Sequence, residues 1–251
     1  MSTSAVALTA HAHAPHLAAT LASIEEQTVP TDARVAVVDR PSDEAVQLLR
    51  AYGFTVHYST STAVGTRTRI AHNFLQALRA TPEVDVVILG DHDDVWHPTR
   101  VEQHLSVMQD TRWMMTAADG NLIDESGNRR TGTLRSIFPV PAEWNTSGAS
   151  RNFAYALRHS VATGGASAIR RDSFIDRRLP EGWLHDRWWS LVATKHSAMH
   201  IDGRPVIDYR VAKGQQVGLE TNSQDSSAAW LVSKIAKAPR NARRALSILG
   251  E

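Results

Sequence analysis

The chain has no cysteine in 251 residues. Disulfide scaffolds, cysteine-ligated zinc and thiol redox chemistry are therefore excluded, and the compartment cannot be read from thiols. No run approaches the ~20 apolar residues of a membrane span, and no basic segment followed by an apolar one marks a secretory signal. An excess of one charge is missing as well. Lysine plus arginine number 27 against 26 acidic residues, a net charge of +1, which argues against a nucleic-acid binder with its basic face. There is no G-x-G-x-x-G after the first apolar run and no G-x-x-x-x-G-K-[ST] anywhere, so neither a dinucleotide fingerprint nor a P-loop is supported. Internal repeats and low-complexity segments are also absent. What remains is a cytoplasmic globular protein, 42% hydrophobic, long enough to bury a sizeable core. If it binds a nucleotide, side chains and a metal ion must hold it.

The most informative stretch is Asp85 to Trp96. Val86 to Leu89 has the length and β-branched content of a buried strand. It stops at Gly90, and Asp91, Asp93 and Asp94 follow within four residues. Carboxylates at the end of a strand place hard oxygen ligands at the carboxyl edge of a sheet, where open α/β sheets bind ligands. In an extended segment Asp91 and Asp93 point the same way. That pair suits one divalent cation, which in turn suits a diphosphate. The same residues also suit a solvated acidic turn ahead of a helix near Pro98.

Around it the pattern alternates. Strands are expected at 5–10, 35–39, 56–58, 86–89 and 113–117, and helices at 15–26, 44–51 (capped by Ser42), 68–79 and 98–110. Such alternation predicts a mostly parallel sheet with helices on both faces. His11, at the tip of the first strand, is placed to stack on or hydrogen-bond a base or ribose; His11 and His13 as a metal pair is a weak signal. Asp39, ending the second strand, suits a ribose hydroxyl or a base N–H, or simply a turn.

Beyond Asp119 the pattern weakens. Residues 129–151 read as a long loop with little periodicity, and 153–158 as a short helix. Thr163 to Arg171 reads as a tight turn into a short strand, its two glycines allowing close backbone approach. His185-Asp186 stands at a helix start, where a carboxylate is favoured and could act as a general base. Residues 198–201 and 205–209 read as a hairpin across Asp202-Gly203. Residues 226–249 read as a helical tail broken near Pro239. Lys234, Lys237, Arg240, Arg243 and Arg244 give it a basic face suited to an anionic bilayer or to packing on the domain.

Taken in order, these motifs resemble the family 2 glycosyltransferases, closest to the bacterial branch that includes rhamnosyltransferases. The resemblance rests on Ser23 to Thr28, Asp39, Gly65 with Asn73-Phe74, Gly90-Asp91-His92-Asp93-Asp94-Val95-Trp96, Thr163 to Ala168, and His185-Asp186-Arg187-Trp188. It implies a GT-A fold over residues 1–218, with a nucleotide-binding half (1–117), an acceptor-binding half (118–218) and a basic tail (219–251). It implies an inverting transferase that moves a sugar from a nucleoside-diphosphate donor, such as dTDP-rhamnose or a UDP-hexose, to a hydroxyl of a bacterial surface glycan or lipid-linked precursor. By that likeness Thr9, His11, Asp39, Gly65, Asn73, Asp91 and His92 hold the donor. Asp91 and Asp93 bind Mn2+ or Mg2+, and Asp186 is the base. Asp94, Trp96, Gly164, Gly165, His185 and Trp188 line the acceptor. A homodimer and peripheral contact with the inner face of the plasma membrane are compatible with it. Two segments depart from the pattern. Tyr209-Arg210-Val211-Ala212 lacks the histidine of Tyr-Arg-x-His, so if that histidine helps hold the metal or diphosphate, either Lys213 or a nearby histidine substitutes or metal affinity is low. Arg40-Pro41-Ser42 replaces Asp-Gly-Ser. The alternatives are a metal-dependent nucleotidyltransferase-like enzyme and an inactive glycan-binding relative.

Overall fold

A computed structural model describes residues 2–11 and 14–211. His13, Lys213 and the tail expected over 219–251 lie outside them. The elements run β1 (Ser4–His11), α1 (Leu17–Glu25), β2 (Ala33–Asp39), α2 (Asp43–Ala51), β3 (Thr55–Tyr58), α3 (Thr66–Ala80), β4 (Val86–Asp91), β5 (Val95–Trp96) and α4 (Arg100–Met108). Then follow β6 (Met115–Ile123), β7 (Arg129–Thr133), α5 (Leu134–Ile137), α6 (Ala149–Ala156), β8 (Ser167–Arg170), α7 (His185–Lys195) and β9 (Met199–Arg210).

All nine strands join one sheet in the order β3-β2-β1-β4-β8-β6-β9-β5, with β7 added to β6. β1 to β4, β6 and β9 run one way; β5, β7 and β8 run against them. The sheet is therefore mostly parallel, as expected. Alternate residues of a strand face opposite sides, and the two cores follow from that. Val6, Leu8, Ala36, Val38 and Ile88 pack with Leu17, Leu21 and Ile24 of α1, Leu49 of α2 and Val101 of α4. Ala5, Ala7, Val37, Val87 and Leu89 pack with Phe74 and Leu78 of α3 and with Trp188, Leu191 and Val192 of α7. Because the parallel strands share a direction, His11, Asp39, Tyr58, Asp91 and Arg210 all finish at one edge.

Two expectations fail. Residues 129–151 are not a structureless loop; they contain β7, α5, a 3-10 turn at Trp144–Thr146 and the start of α6. β7 is short and its residues are largely exposed, so it carries no apolar alternation to read. Residues 198–209 do not form a hairpin. They are one strand, β9, which runs parallel to β6 along its whole length. Between Ala117↔Ile201 and Asp119↔Pro205 the register shifts by two residues, so Asp202-Gly203-Arg204 bulges outward instead of turning back. The Asp202 carboxylate accepts from the backbone N–H and the guanidinium of Arg204, which fixes the bulge.

Candidate active site

The carboxyl edge of β4 is the centre. In register Asp91 lies beside Thr9 of β1, and Thr9 lies beside Val37 of β2. Thr9 is buried, so the strands bring it to the edge but cover its side chain. His11 pairs in register with Asp39 and its ring meets that of His92 edge-on at 4.4 Å between centroids. Asp39, His11, His92 and Asp91 therefore form one continuous rim. The Asp39 carboxylate accepts from Nε of Arg69 at 2.8 Å. Arg69 stands in the first turns of α3, four residues after Gly65, which caps that helix and is exposed. Asn73, one turn further, is buried; its side-chain oxygen accepts from the Ser59 hydroxyl at 2.5 Å. Asn73 therefore pins the loop ahead of α3 and does not face a donor.

The second wall is the Gly164–Ala166 turn, a single 3-10 turn leading into β8. The Gly164 N–H donates to Asp186 Oδ2 at 3.1 Å, and the Gly165 peptide stands against Asp91, where an added Cβ would fall 3.2 Å from Oδ2. Neighbouring residues of one turn thus touch the two carboxylates that the sequence had placed 95 positions apart. Both glycines are required by close approach. A Cβ on Gly165 would fall 2.4 Å from Asp94 Oδ2 and 3.2 Å from Asp91 Oδ2; one on Gly164 would fall 2.4 Å from His185 Nε2. They line the turn with backbone, against carboxylates and an imidazole.

Several expected acceptor residues are structural instead. Trp188 is 0% exposed, inside the core. Trp96 is also buried and lies against Gly90, where a Cβ would clash with its indole at 3.0 Å. His185, 3% exposed, stacks on Phe74 at 3.7 Å and meets Trp189 edge-on at 5.3 Å. Burial pulls its imidazole down to about 3, so it stays neutral. Asp94 is 1% exposed; Oδ1 accepts from the Arg210 N–H at 3.1 Å, while Oδ2 has no hydrogen-bond partner among the described residues. A side chain so enclosed offers no surface to a sugar. These four shape the site from behind; Gly164 and Gly165 are buried as well and meet the site through their contacts with Asp186 and Asp91.

The electrostatics follow from the crowding. Burial, then the charges of Asp93 and Asp186, push the Asp91 carboxyl up to about 7. Asp94 is raised by burial, Asp93 and Asp91. Asp186 is raised to about 6 by burial, against the N–H bonds from Arg187 and Gly164. Beneath them lies Arg100, 0% exposed and missed by the sequence reading. Its guanidinium sits 3.7 Å over the Trp96 ring and donates to the Leu89 carbonyl at 2.6 Å. Burial lowers it to about 9, while Asp94 and Asp91 oppose that shift. His16, capping α1, is the third histidine of the mouth; burial and Arg210 lower it, and Asp93 pulls the other way.

Among the described residues no three His, Cys, Asp or Glu side chains form a metal cage. The residues nevertheless suit a hard divalent cation that takes its other ligands from a diphosphate and water. Asp91 and Asp93 supply two oxygen donors. Their mutual repulsion raises Asp91, and a cation would relieve it.

A mostly parallel sheet with carboxylates crowded at its carboxyl edge, beside a helix-borne aspartate, defines a GT-A nucleotide-sugar transferase fold. Residues 5–178 match the glycosyl transferase family 2 model, and the chain belongs to that family. Among solved structures it is similar to glucosyl-3-phosphoglycerate synthase from Mycobacterium tuberculosis with Mn2+, UDP and glucosyl-3-phosphoglycerate, at 16% identity and TM-score 0.56, over 84% of this chain and 72% of that one. S. aureus TarS 1–349 in complex with UDP shares 14% identity at TM-score 0.58, over 83% and 60% of the two chains. Mannosyl-3-phosphoglycerate synthase from Rubrobacter xylanophilus shares 16% identity at TM-score 0.57, over 97% and 75%. No curated protein sequence matches significantly. No helix among the described residues is long and apolar enough to cross a membrane.

Proposed function

We propose that the protein transfers a sugar from a uridine or thymidine diphosphate donor to an acceptor hydroxyl, with inversion, and depends on Mn2+ or Mg2+. One observation carries this reading: the Gly164-Gly165 turn bonds Asp186 through the Gly164 N–H and stands against Asp91 at Gly165. A proton acceptor and a diphosphate-side carboxylate thereby face one space. Solved structures of the same fold hold UDP and Mn2+, which supports the donor class.

Asp39 and Arg69 read the base. One oxygen of Asp39 is taken by Arg69, which orients the carboxylate to accept an imide N–H while the guanidinium offers donors to a neighbouring carbonyl. Uracil and thymine present that N–H between two carbonyls. His11 and His92 flank the ribose and diphosphate. Asp91 and Asp93 would hold the cation, which when bound would supply positive charge against the departing diphosphate. Asp186 takes the acceptor hydroxyl proton as the oxygen attacks the anomeric carbon. The bond from that carbon to the diphosphate oxygen breaks on the opposite face, and the nucleoside diphosphate leaves with the electron pair. The acceptor is a glycan or lipid-linked hydroxyl that meets Asp186, itself half-buried, as the rhamnosyltransferase-like motifs suggest.

The test is calorimetric titration of UDP, dTDP and GDP with and without Mn2+, followed by release of nucleoside diphosphate from a panel of donor sugars. Mn2+-dependent binding of UDP or dTDP, with turnover lost in Asp186→Asn, is the expected result. An absence of nucleotide binding under all of these conditions would refute the reading.

A further inference from the structure

Arg210 ends β9 and is 4% exposed. It is the retained arginine of the Tyr-Arg motif whose histidine this chain lacks. Its bonds leave the strand in two directions. Toward the carboxylate loop, its backbone N–H donates to Asp94 Oδ1 at 3.1 Å and its Nε donates to the Asp93 carbonyl at 2.9 Å. Toward the turn after β6, Nη1 donates to the carbonyls of Asp124 at 2.9 Å and Glu125 at 3.0 Å. One buried side chain therefore joins three segments: the end of β9, the loop between β4 and β5, and the β6–β7 turn. β5 is only two residues long and pairs with β9 at Asp208 and Ile207. The Asp91-to-Asp94 loop thus has little ladder of its own, and Arg210 supplies much of what fixes its main chain.

We propose that Arg210 is a positioning residue for the cation-binding carboxylates. Its guanidinium holds the backbone at Asp93 while its main-chain N–H holds the Asp94 carboxylate, and the guanidinium bond so sets the direction in which the Asp91 and Asp93 carboxylates face. The proposal rests on the donor reading above. A lysine keeps the charge but not the planar fork that reaches carbonyls on two sides, so Arg210→Lys separates position from charge. Groups that orient metal ligands from behind typically change metal affinity ~10–100-fold when altered.

The experiment measures Mn2+ binding by electron paramagnetic resonance, with and without UDP, together with UDP binding without metal and thermal melting. Arg210→Lys is compared with Arg170→Lys. Arg170 also bridges carbonyls, of Trp113 at 3.3 Å and Met108 at 2.8 Å, but far along the sheet from the carboxylates. The expected result is that Arg210→Lys weakens Mn2+·UDP binding by at least about tenfold while metal-free UDP binding stays within twofold. Arg170→Lys lowers the melting temperature and leaves Mn2+ affinity within twofold. Arg210→Met keeps the apolar stem but removes the donors to the Asp93, Asp124 and Glu125 carbonyls, and guards against a lysine variant that melts too low to assay; it is expected to lose Mn2+ affinity in the same selective way. Foldable Arg210 variants with wild-type Mn2+·UDP affinity would overturn the proposal, as would an equal loss in Arg170→Lys. A wild-type protein that binds neither Mn2+ nor UDP overturns the donor reading, and this proposal with it.

Discussion

The sharpest perturbation of the site is Gly165→Ala, a single added methyl. It would lie 2.4 Å from Asp94 Oδ2 and 3.2 Å from Asp91 Oδ2. Neither side can retreat freely. Asp94 is enclosed and bonded to the Arg210 N–H. The turn is held by the Gly164 N–H on Asp186 and by the Ala166 N–H on the Thr163 carbonyl at 3.2 Å. Overpacking of a tight site costs roughly 1–3 kcal/mol. Pushing Asp94 off its N–H partner costs about 1–3 kcal/mol more, because the carboxylate is buried. A loss of about 2–6 kcal/mol at roughly 2–4 °C per kcal/mol for a chain of this size lowers the melting temperature by about 4–24 °C. The comparison variant is Gly203→Ala, where an added Cβ meets nothing within 4 Å; its stability should stay within about 0.5 kcal/mol. Differential scanning fluorimetry reads both, and titration of UDP with Mn2+ reads the site. Gly165→Ala melting with the wild type and binding Mn2+·UDP normally would refute the claim that this turn is built by close approach.

Asp186→Asn should reduce turnover by at least ~100-fold, the low end of what a positioned base contributes, while Mn2+·UDP affinity in calorimetry stays near wild type. The Asp186 carboxyl is raised to about 6, so its basic form is lost below that pH; turnover should climb about tenfold per unit from pH 4 to 6 and level off above it. The same shift carries a stability sign. The folded protein holds this proton above the pH where the unfolded chain releases it, so the ligand-free protein should lose stability as pH rises from about 4 to 6. Melting curves of wild type and Asp186→Asn across that range check this, the variant showing the smaller fall. Trp188→Ala should cost about 3–5 kcal/mol by leaving a core cavity, visible as a large drop in the denaturant midpoint; a mild effect would return Trp188 to the acceptor wall. Asp93→Asn should weaken Mn2+ binding without lowering metal-free UDP affinity.

Much of this protein could be read from spacing alone, because parallel strands and their helices are local patterns. The β-branched run ending in Gly90 and three aspartates marks the central strand whatever the rest of the chain does. Ser42 caps α2 as expected, its hydroxyl accepting from the Ala45 N–H. The motif order points to a fold whose family membership the match over residues 5–178 establishes. The unreadable parts are those decided at a distance. Asp202-Gly203 has the composition of a hairpin turn, yet β6 offers a parallel partner on both sides of it, and the ladder on both sides outweighs a local turn preference. Trp96, His185 and Trp188 stand in polar, functional-looking motifs, but burial by remote elements makes them the back wall of the site.

Three arginines show the same division. No local signal marks Arg69 or Arg100, since an arginine in a sequence is most often a solvated surface residue, and only the Tyr-Arg likeness marks Arg210. Arg69 and Arg210 acquire their roles when distant segments bring a carboxylate or a row of carbonyls to them, whereas Arg100 meets the Trp96 indole close by in the sequence. The sequence by itself determined the strand that ends in aspartates, the direction of the first four strands and the class of chemistry those side chains suit. Tertiary structure decided which carboxylates face one another, because the Gly164-Gly165 turn bonds Asp186 and stands against Asp91. It also decided how those carboxylates titrate, since burial and mutual charge act through space and not along the chain.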